Sequence, residues 1–159
     1  MAILFTVDTF IDSERNFEMK SQSEIVGLAN LRYEEACCLL NNKMWDGAFY
    51  LAGYSIELLL KARICKNLRI DNFFEFALPV KKELYRVFKN HNIRELIMLT
   101  GFYDDFLRIG MEDKNLIDHW SKVFEWSEGS RYKMEKTEAD ATNFIRSAKT
   151  IGLWIREKL

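Results

Sequence analysis

Hydrophobic residues cover most of the circumference of one predicted helix, which begins at Trp45 and extends to about Asn67. At about 100° per residue, its polar side chains fall on a single narrow strip. The members of this polar strip are Asp46, Tyr50, Tyr54, Glu57 and Lys61. A helix that is apolar on so many sides is expected at the centre of a bundle. An acid and a base buried there must be paired or used, so the strip is the first place to look for function.

Helical periodicity and capping residues predict further helices along the chain. The first extends from about Glu24 to Leu40 after a Ser21–Glu24 capping spacing, and the short turn 41–43 makes the next helix antiparallel to it. Other helices are predicted after Pro79, from the cap residue Asn92 to Gly101, over 114–126, and after the capping pair Thr137 and Asp140, with 127–136 as a loop. The pattern therefore predicts an all-α fold, an antiparallel up-and-down bundle of four to five helices over residues 21–159, preceded by a short N-terminal arm, residues 1–20.

The composition agrees with one helical domain in a reducing compartment. The 159 residues include only one proline and seven glycines, few for a turn-rich β fold. The three cysteines have no framework spacing, which indicates free thiols and favours a cytoplasmic location. No run is long and apolar enough for a membrane span, and the first residues lack the basic region of a signal peptide. A net charge of −1 gives no overall basic surface for nucleic acid.

The central helix carries a pattern that resembles the signature of the HEPN family (higher eukaryotes and prokaryotes nucleotide-binding domain). That signature is similar to A-x-x-L/A-A-x-x-x-x-E-L-x-L-K-A, and it is matched here by Ala48, Leu51, Ala52, Glu57, Leu58, Leu60, Lys61 and Ala62. Two shorter matches follow in the expected order. His91, Asn92, Ile93 and Leu96 resemble H-D-L-x-x-L with asparagine in place of the acid, and Arg131–Tyr132 resembles a pair found before the last helix. The resemblance covers residues 24–158.

The resemblance implies an antiparallel HEPN-like bundle that often forms a homodimer. Some members of the family are metal-independent ribonucleases of toxin–antitoxin and defence systems. Others lack a catalytic site and act as partners of minimal nucleotidyltransferases or as nucleotide-binding modules. The partners implied for this chain are therefore a second copy of itself, a nucleotidyltransferase subunit, and a nucleotide or RNA.

The ribonuclease members use an arginine followed after four to six residues by a histidine. Such a histidine exchanges a proton and the arginine stabilises charge on the phosphate. Arg86 and His91 match this spacing, although the apolar Val87 follows the arginine and the match comes early in the chain. His119 and Arg131 form an alternative catalytic pair that the spacing does not support. The degenerate motif favours a non-catalytic binding or assembly module, with a metal-independent endoribonuclease toxin as the alternative.

A purely structural role for the polar strip is the third possibility. Glu57 and Lys61 lie four positions apart, as in a simple helix ion pair. Arg32 interrupts the apolar face of the first helix, so we expect Glu57 to be its acid partner, in a network with Tyr54 and Arg131 that holds helices one and two in register.

Aromatic residues near the 127–136 loop are candidates for contact with a base. Trp126 and Tyr132 flank this loop, and together with Arg131 and the strip residues Tyr54, Glu57 and Lys61 they form the predicted binding set. Aromatic residues at helical spacing more often belong to a core. The sequence has no glycine-rich phosphate loop and no zinc-ligand spacing, so we expect neither a metal nor a cofactor.

Overall fold

The computed structural model describes residues 21–69 and 89–159. Within these ranges it contains six α-helices, one 3₁₀ helix and no strand, which confirms the all-α class for this part of the chain. The helices are α1 (Gln22–Asn41), α2 (Trp45–Leu68), α3 (Ile93–Leu99), α4 (Tyr103–Glu112), α5 (Lys114–Val123), the 3₁₀ helix (Glu128–Tyr132) and α6 (Glu138–Arg156). The predicted arm 1–20, Arg86 and the helix predicted after Pro79 lie outside the described residues.

Helix α2 lies at the centre of the fold, as its hydrophobic pattern predicts. It packs against α1, α3, α6 and the 3₁₀ helix. From Ala48 to Cys65 most side chains are buried, including those of Glu57 and Lys61. Burial of so much apolar surface is the main stabilising contribution to a bundle of this size, so α2 forms the framework on which the other elements are positioned.

The directions of the main helices follow from which positions meet. The three-residue connection from α1 to α2, which contains Lys43 with a positive φ of 60°, makes these helices an antiparallel hairpin. Successive positions of α2 meet successive positions of α6, so these two helices run parallel. The contacts are Phe49 with Phe144, Ile56 and Leu59 with Gly152, and Arg63 with the carbonyl of Lys158.

Three predicted capping sites are confirmed. The Ser21 hydroxyl accepts a hydrogen bond from the backbone N–H of Glu24 at 3.3 Å. Asn92 Oδ1 accepts one from the backbone N–H of Arg94 at 3.0 Å. At α6, Thr137 and Asp140 form a reciprocal capping box.

The structure also differs from the prediction after Gly101. This glycine, with φ of 74°, follows α3 as predicted, but the segment Tyr103–Glu112 then forms α4, a helix that was not predicted. No residue of α4 is buried, and its apolar face packs through the partly buried Phe106 against the rings of Trp120 and Phe124. The predicted helix over 114–126 ends at Val123, and the predicted loop 127–136 contains the 3₁₀ helix Glu128–Tyr132.

Candidate functional site

The polar strip of α2 contacts the segment that follows α5. Near the start of α2, Asp46 Oδ1 accepts backbone N–H groups of Glu135 at 2.9 Å and Lys136 at 3.0 Å. One turn later, the Tyr50 carbonyl accepts Nε1–H of Trp126 at 3.0 Å. These bonds hold the 126–136 segment against α2, so the polar strip is the surface of α2 on which this segment packs.

A buried carboxylate lies further along this polar strip. The side chain of Glu57 is fully buried, and its Oε1 accepts from Nζ of Lys61 at 2.6 Å. Nδ1 of His91 lies 3.0 Å from Oε1 and 3.1 Å from Oε2 of the same carboxylate. The carboxylate accepts, so His91 must carry its proton on Nδ1 to make these bonds. Glu57 therefore fixes both the orientation of the imidazole and the position of its Nδ1 proton.

The turn before α3 holds His91 in place. Asn90 Oδ1 accepts the backbone N–H of Asn92 at 2.8 Å, and Asn92 in turn caps α3. Ile93 and Leu96 of α3 are buried and anchor this helix on α2. Hydrogen bonds of the neighbouring residues Asn90 and Asn92 thus fix the backbone around His91, and its ring contacts Glu57.

The other nitrogen of His91 faces a second carboxylate. Nε2 lies 3.6 Å from Oε2 of Glu128, which is too long for a good hydrogen bond. Oε1 of Glu128 pairs with Arg131 at 2.8 Å, and the Arg131 guanidinium lies 4.9 Å from the ring centroid of Tyr132. The network therefore continues from Lys61 through His91 to the 3₁₀ helix, where its members are one-third or more exposed.

A cleft of about 380 Å³ opens beside His91. Its walls include the side chains of Arg94, Phe124, Trp126 and Glu128. The Arg94 guanidinium lies 4.1 Å from the ring centroid of Phe124, a cation–π geometry that holds the cation at the wall. The volume is within the range of small-ligand sites, and its lining combines aromatic surface with both signs of charge.

Two tyrosines of the strip flank the buried carboxylate. The rings of Tyr50 and Tyr54 stack at 6.3 Å, and Tyr50 also stacks on Trp126 at 6.0 Å. Burial raises the pKa of Tyr54, and the negative charge of Glu57 raises it further. The Tyr54 hydroxyl therefore stays neutral near pH 7 and serves as a hydrogen-bonding group rather than as a base.

The predicted pairing of Arg32 with Glu57 is wrong. Arg32 forms its ion pair with Glu35, three positions along α1, and its side chain is 29% exposed. A partly exposed arginine does not need the buried acid that an arginine inside an apolar face would require. Glu57 binds Lys61 and His91 instead, so the buried network joins α2 to the turn before α3 rather than to α1.

The structure does not bring the alternative catalytic pair together. Nδ1 of His119 lies 3.0 Å from the Ser147 hydroxyl on α6, whereas Arg131 pairs with Glu128. The other pair, Arg86 and His91, has only its histidine within the described residues.

The predicted binding residues differ in how accessible they are. Trp126 is only 5% exposed and packs on α2, so it contributes an edge of the cleft rather than an open stacking surface. Tyr132 is 79% exposed beside Arg131, and both can meet a ligand. Glu57 and Lys61 are buried and act through His91.

Sequence reasoning missed two residues of the cleft. Glu128 stands in a segment predicted to be a loop, and its distance in sequence from His91 gives no sign that they meet. Arg94 lies two positions after the cap residue Asn92. An arginine on the surface of a helix is common, so nothing in the sequence marked this one. The Glu128–Arg131 spacing was the one local signal available, because residues three apart meet on a single helical turn.

Within the described ranges no cluster of three His, Cys, Asp or Glu side chains is arranged to hold a metal ion. None of the helices described there has a stretch both long and apolar enough to cross a bilayer. Comparison with known proteins gave no matching family model, no matching curated protein and no matching solved structure.

Proposed function

We propose that the chain is a HEPN-like helical module whose His91 cleft binds a nucleotide or RNA and which acts without catalysis as a binding or assembly unit. One observation carries the proposal. The three segments that resemble the family in sequence meet at one place, since Glu57, His91 and Arg131 belong to a single network that ends at the cleft. The resemblance would require these three positions to lie close together, and they do so here through Glu128.

The cleft offers the chemistry that a phosphate and a base require. Arg94 lines the cleft and Arg131 lies next to it, paired with the cleft residue Glu128; arginine side chains bind phosphate oxygens through charge-assisted hydrogen bonds. Phe124 in the cleft and the exposed ring of Tyr132 beside Arg131 supply aromatic surface of the kind on which bases stack. The Glu128 carboxylate occupies the space between His91 and Arg131 and must move or be neutralised when an anion enters.

The assembly part of the proposal rests on the resemblance. It includes a homodimer, a nucleotidyltransferase subunit as partner, and a role in nucleotidyltransferase-linked or toxin–antitoxin and defence systems. Light scattering on the purified protein tests the dimer, and a strict monomer that binds neither nucleotide nor RNA would contradict the binding and assembly role.

Metal-independent RNA cleavage is the second candidate, and the orientation of His91 favours it. Glu57 accepts from Nδ1, so Nε2 is the nitrogen directed to the cleft. An imidazole held in this way can take a proton from an RNA 2′-hydroxyl, while an arginine stabilises the phosphate in the transition state. The residue that obstructs this reaction in the structure is Glu128.

Binding and cleavage assays on one set of proteins separate the two candidates. The parent, His91→Ala and His119→Ala are each mixed with labelled RNA in excess EDTA, and nucleotide binding is followed by calorimetry. His119 is the matched control, because it bonds to Ser147 on α6 and not to the cleft. Binding without cleavage, weakened only in His91→Ala, supports the module. Cleavage lost only in His91→Ala supports the ribonuclease, and equal effects of both substitutions refute the cleft as the site.

A further inference from the structure

A second cavity lies on the opposite side of α2, between α1 and α6, with a volume of about 100 Å³. Leu59 of α2 and Gly152 and Leu153 of α6 form its apolar walls. Lys149 and Arg156 of α6 also line it. These two cations lie seven positions apart and therefore on the same face of the helix.

Neither cation has an acid partner within the described residues. Arg156 donates from one terminal nitrogen to the neutral Asn30 side-chain oxygen, and its Nε is buried with no acceptor among the residues that the structure describes. Lys149 forms no hydrogen bond or ion pair with another described residue. A buried N–H without an acceptor is uncommon in folded proteins and calls for an explanation. Lys149 is exposed and Arg156 is partly buried, so an anion in this cavity would meet two positive charges that no cavity-lining carboxylate neutralises.

The polar groups of the cavity favour an acceptor-rich ligand. Burial raises the pKa of Tyr33, and the neighbouring Cys37 raises it further, so the Tyr33 phenol keeps its proton near neutral pH. The Ser55 hydroxyl donates its proton to the Ala52 carbonyl at 2.7 Å, so this proton is not directed to a ligand in the cavity. The cavity is therefore lined by an ammonium, a guanidinium and a neutral phenol. Cations dominate this set, and no carboxylate among the cavity-lining residues repels an anion.

We propose that this cavity, named the α1–α6 cavity, binds a phosphate-sized oxyanion through Lys149 and Arg156. The two positive charges match a doubly charged phosphate. The volume is too small for a nucleotide, since small-molecule sites usually enclose about 300–1,000 Å³. The ligand is inorganic phosphate or the terminal phosphate of a larger molecule whose remainder stays outside. The proposal does not depend on the function of the His91 cleft.

Titration of the ¹⁵N-labelled protein with phosphate tests the site by chemical-shift changes. The parent is expected to give saturable shifts in α6 and α1 with a dissociation constant in the millimolar range or tighter. Lys149→Gln should weaken binding about tenfold, the loss expected for one charge-assisted hydrogen bond. Arg146→Gln is the matched control, with the same change of charge on an exposed position of α6 outside the cavity. A parent without saturable shifts, or an equal loss in Arg146→Gln, would overturn the proposal.

Three further comparisons test the role of Arg156, the independence from the His91 cleft and the source of the phosphate. Arg156→Lys keeps the charge but removes the planar guanidinium, and it should also weaken phosphate binding, whereas unchanged affinity would refute a specific role of the guanidinium. His91→Ala should bind phosphate at the α1–α6 cavity as the parent does, and loss of binding there would overturn its independence from the cleft. Tighter binding of glycerol phosphate than of inorganic phosphate would identify a phosphomonoester, and the reverse order would identify the free ion.

Discussion

The indole ring of Trp126 lies directly on the backbone of Gly53, where a Cβ atom would stand 2.1 Å from Cδ1 of the indole. The same indole donates to the Tyr50 carbonyl and forms an edge of the His91 cleft. Glycine at this position lets the segment after α5 approach α2 closely. The cleft therefore depends on the absence of one methyl group in the central helix.

Gly53→Ala should destabilise the protein by about 1–3 kcal/mol, the usual cost of forcing an extra methyl group into a packed core. Chemical denaturation measures the change. Gly152→Ala is the matched control, because a Cβ there would lie 3.5 Å from Leu59 Cδ1, an ordinary contact distance in a helix interior. The control should gain about 0.5–1 kcal/mol from higher helix propensity. A Gly53→Ala protein as stable as its parent would show that the indole does not need this close approach.

Glu57→Gln should reduce the free energy of unfolding by about 3–5 kcal/mol, because it removes the negative charge that pairs with buried Lys61 and replaces one of the two carboxylate oxygens facing His91 by an amide N–H donor. Denaturant titration measures this loss. Glu125→Gln is the comparison, since its pair with Lys122 is exposed at both ends and should contribute little to stability. Equal, small losses in both variants would mean that the buried network does not stabilise the fold.

The sequence was sufficient for the helices with strong periodicity or clear caps, and for the importance of the α2 strip. Capping signals predicted the starts of α1, α3 and α6 because these signals act over one turn. The strip was predicted because spacing alone places Glu57 beside Lys61. The α4 helix was missed because it has only ten residues, and the residue before it, Phe102, makes no side-chain capping bond that would have marked its start.

The partners of the strip were less predictable, because they come from distant parts of the chain. Glu57 was predicted to pair with Arg32 on the neighbouring helix, but that arginine forms its ion pair with Glu35, three positions along its own helix. His91 and Glu128 are joined only by the folding of α3 and the 3₁₀ helix onto α2. Long-range geometry of this kind leaves no periodic trace in a single sequence.

The stability of the protein should fall at alkaline pH through Cys65. Burial raises the pKa of this thiol to about 11 in the folded protein, whereas an unfolded thiol titrates near ~8.5. Between about pH 9 and 11 the unfolded state binds fewer protons than the folded state, so stability decreases as pH rises through this window and is unaffected by this group below it. Denaturation across this range should show a shallower pH dependence in Cys65→Ala than in the parent. Identical slopes would contradict a protected thiol.

The same burial predicts a difference in thiol reactivity. Cys38 is exposed, whereas Cys65 is fully buried, and only the thiolate reacts with an alkylating agent. At pH 8 we expect Cys38 to be alkylated rapidly and Cys65 only after denaturant is added, as followed by mass spectrometry of the peptides. Alkylation of both thiols at similar rates in the native protein would show that the core opens near Cys65.

Glu128→Gln should strengthen nucleotide binding at the His91 cleft. The carboxylate lies 3.6 Å from His91 Nε2 and 2.8 Å from Arg131, so it repels an anionic ligand and occupies both of its proposed partners. Loss of one negative charge at this range corresponds to about 1 kcal/mol, or about a fivefold lower dissociation constant. Calorimetry at low and high salt measures the gain, which should shrink as salt screens the charge. Glu125→Gln, with the same change of charge beside Lys122, should leave affinity unchanged. Weaker binding by Glu128→Gln would instead mean that this carboxylate holds His91 and Arg131 in the geometry that the ligand needs.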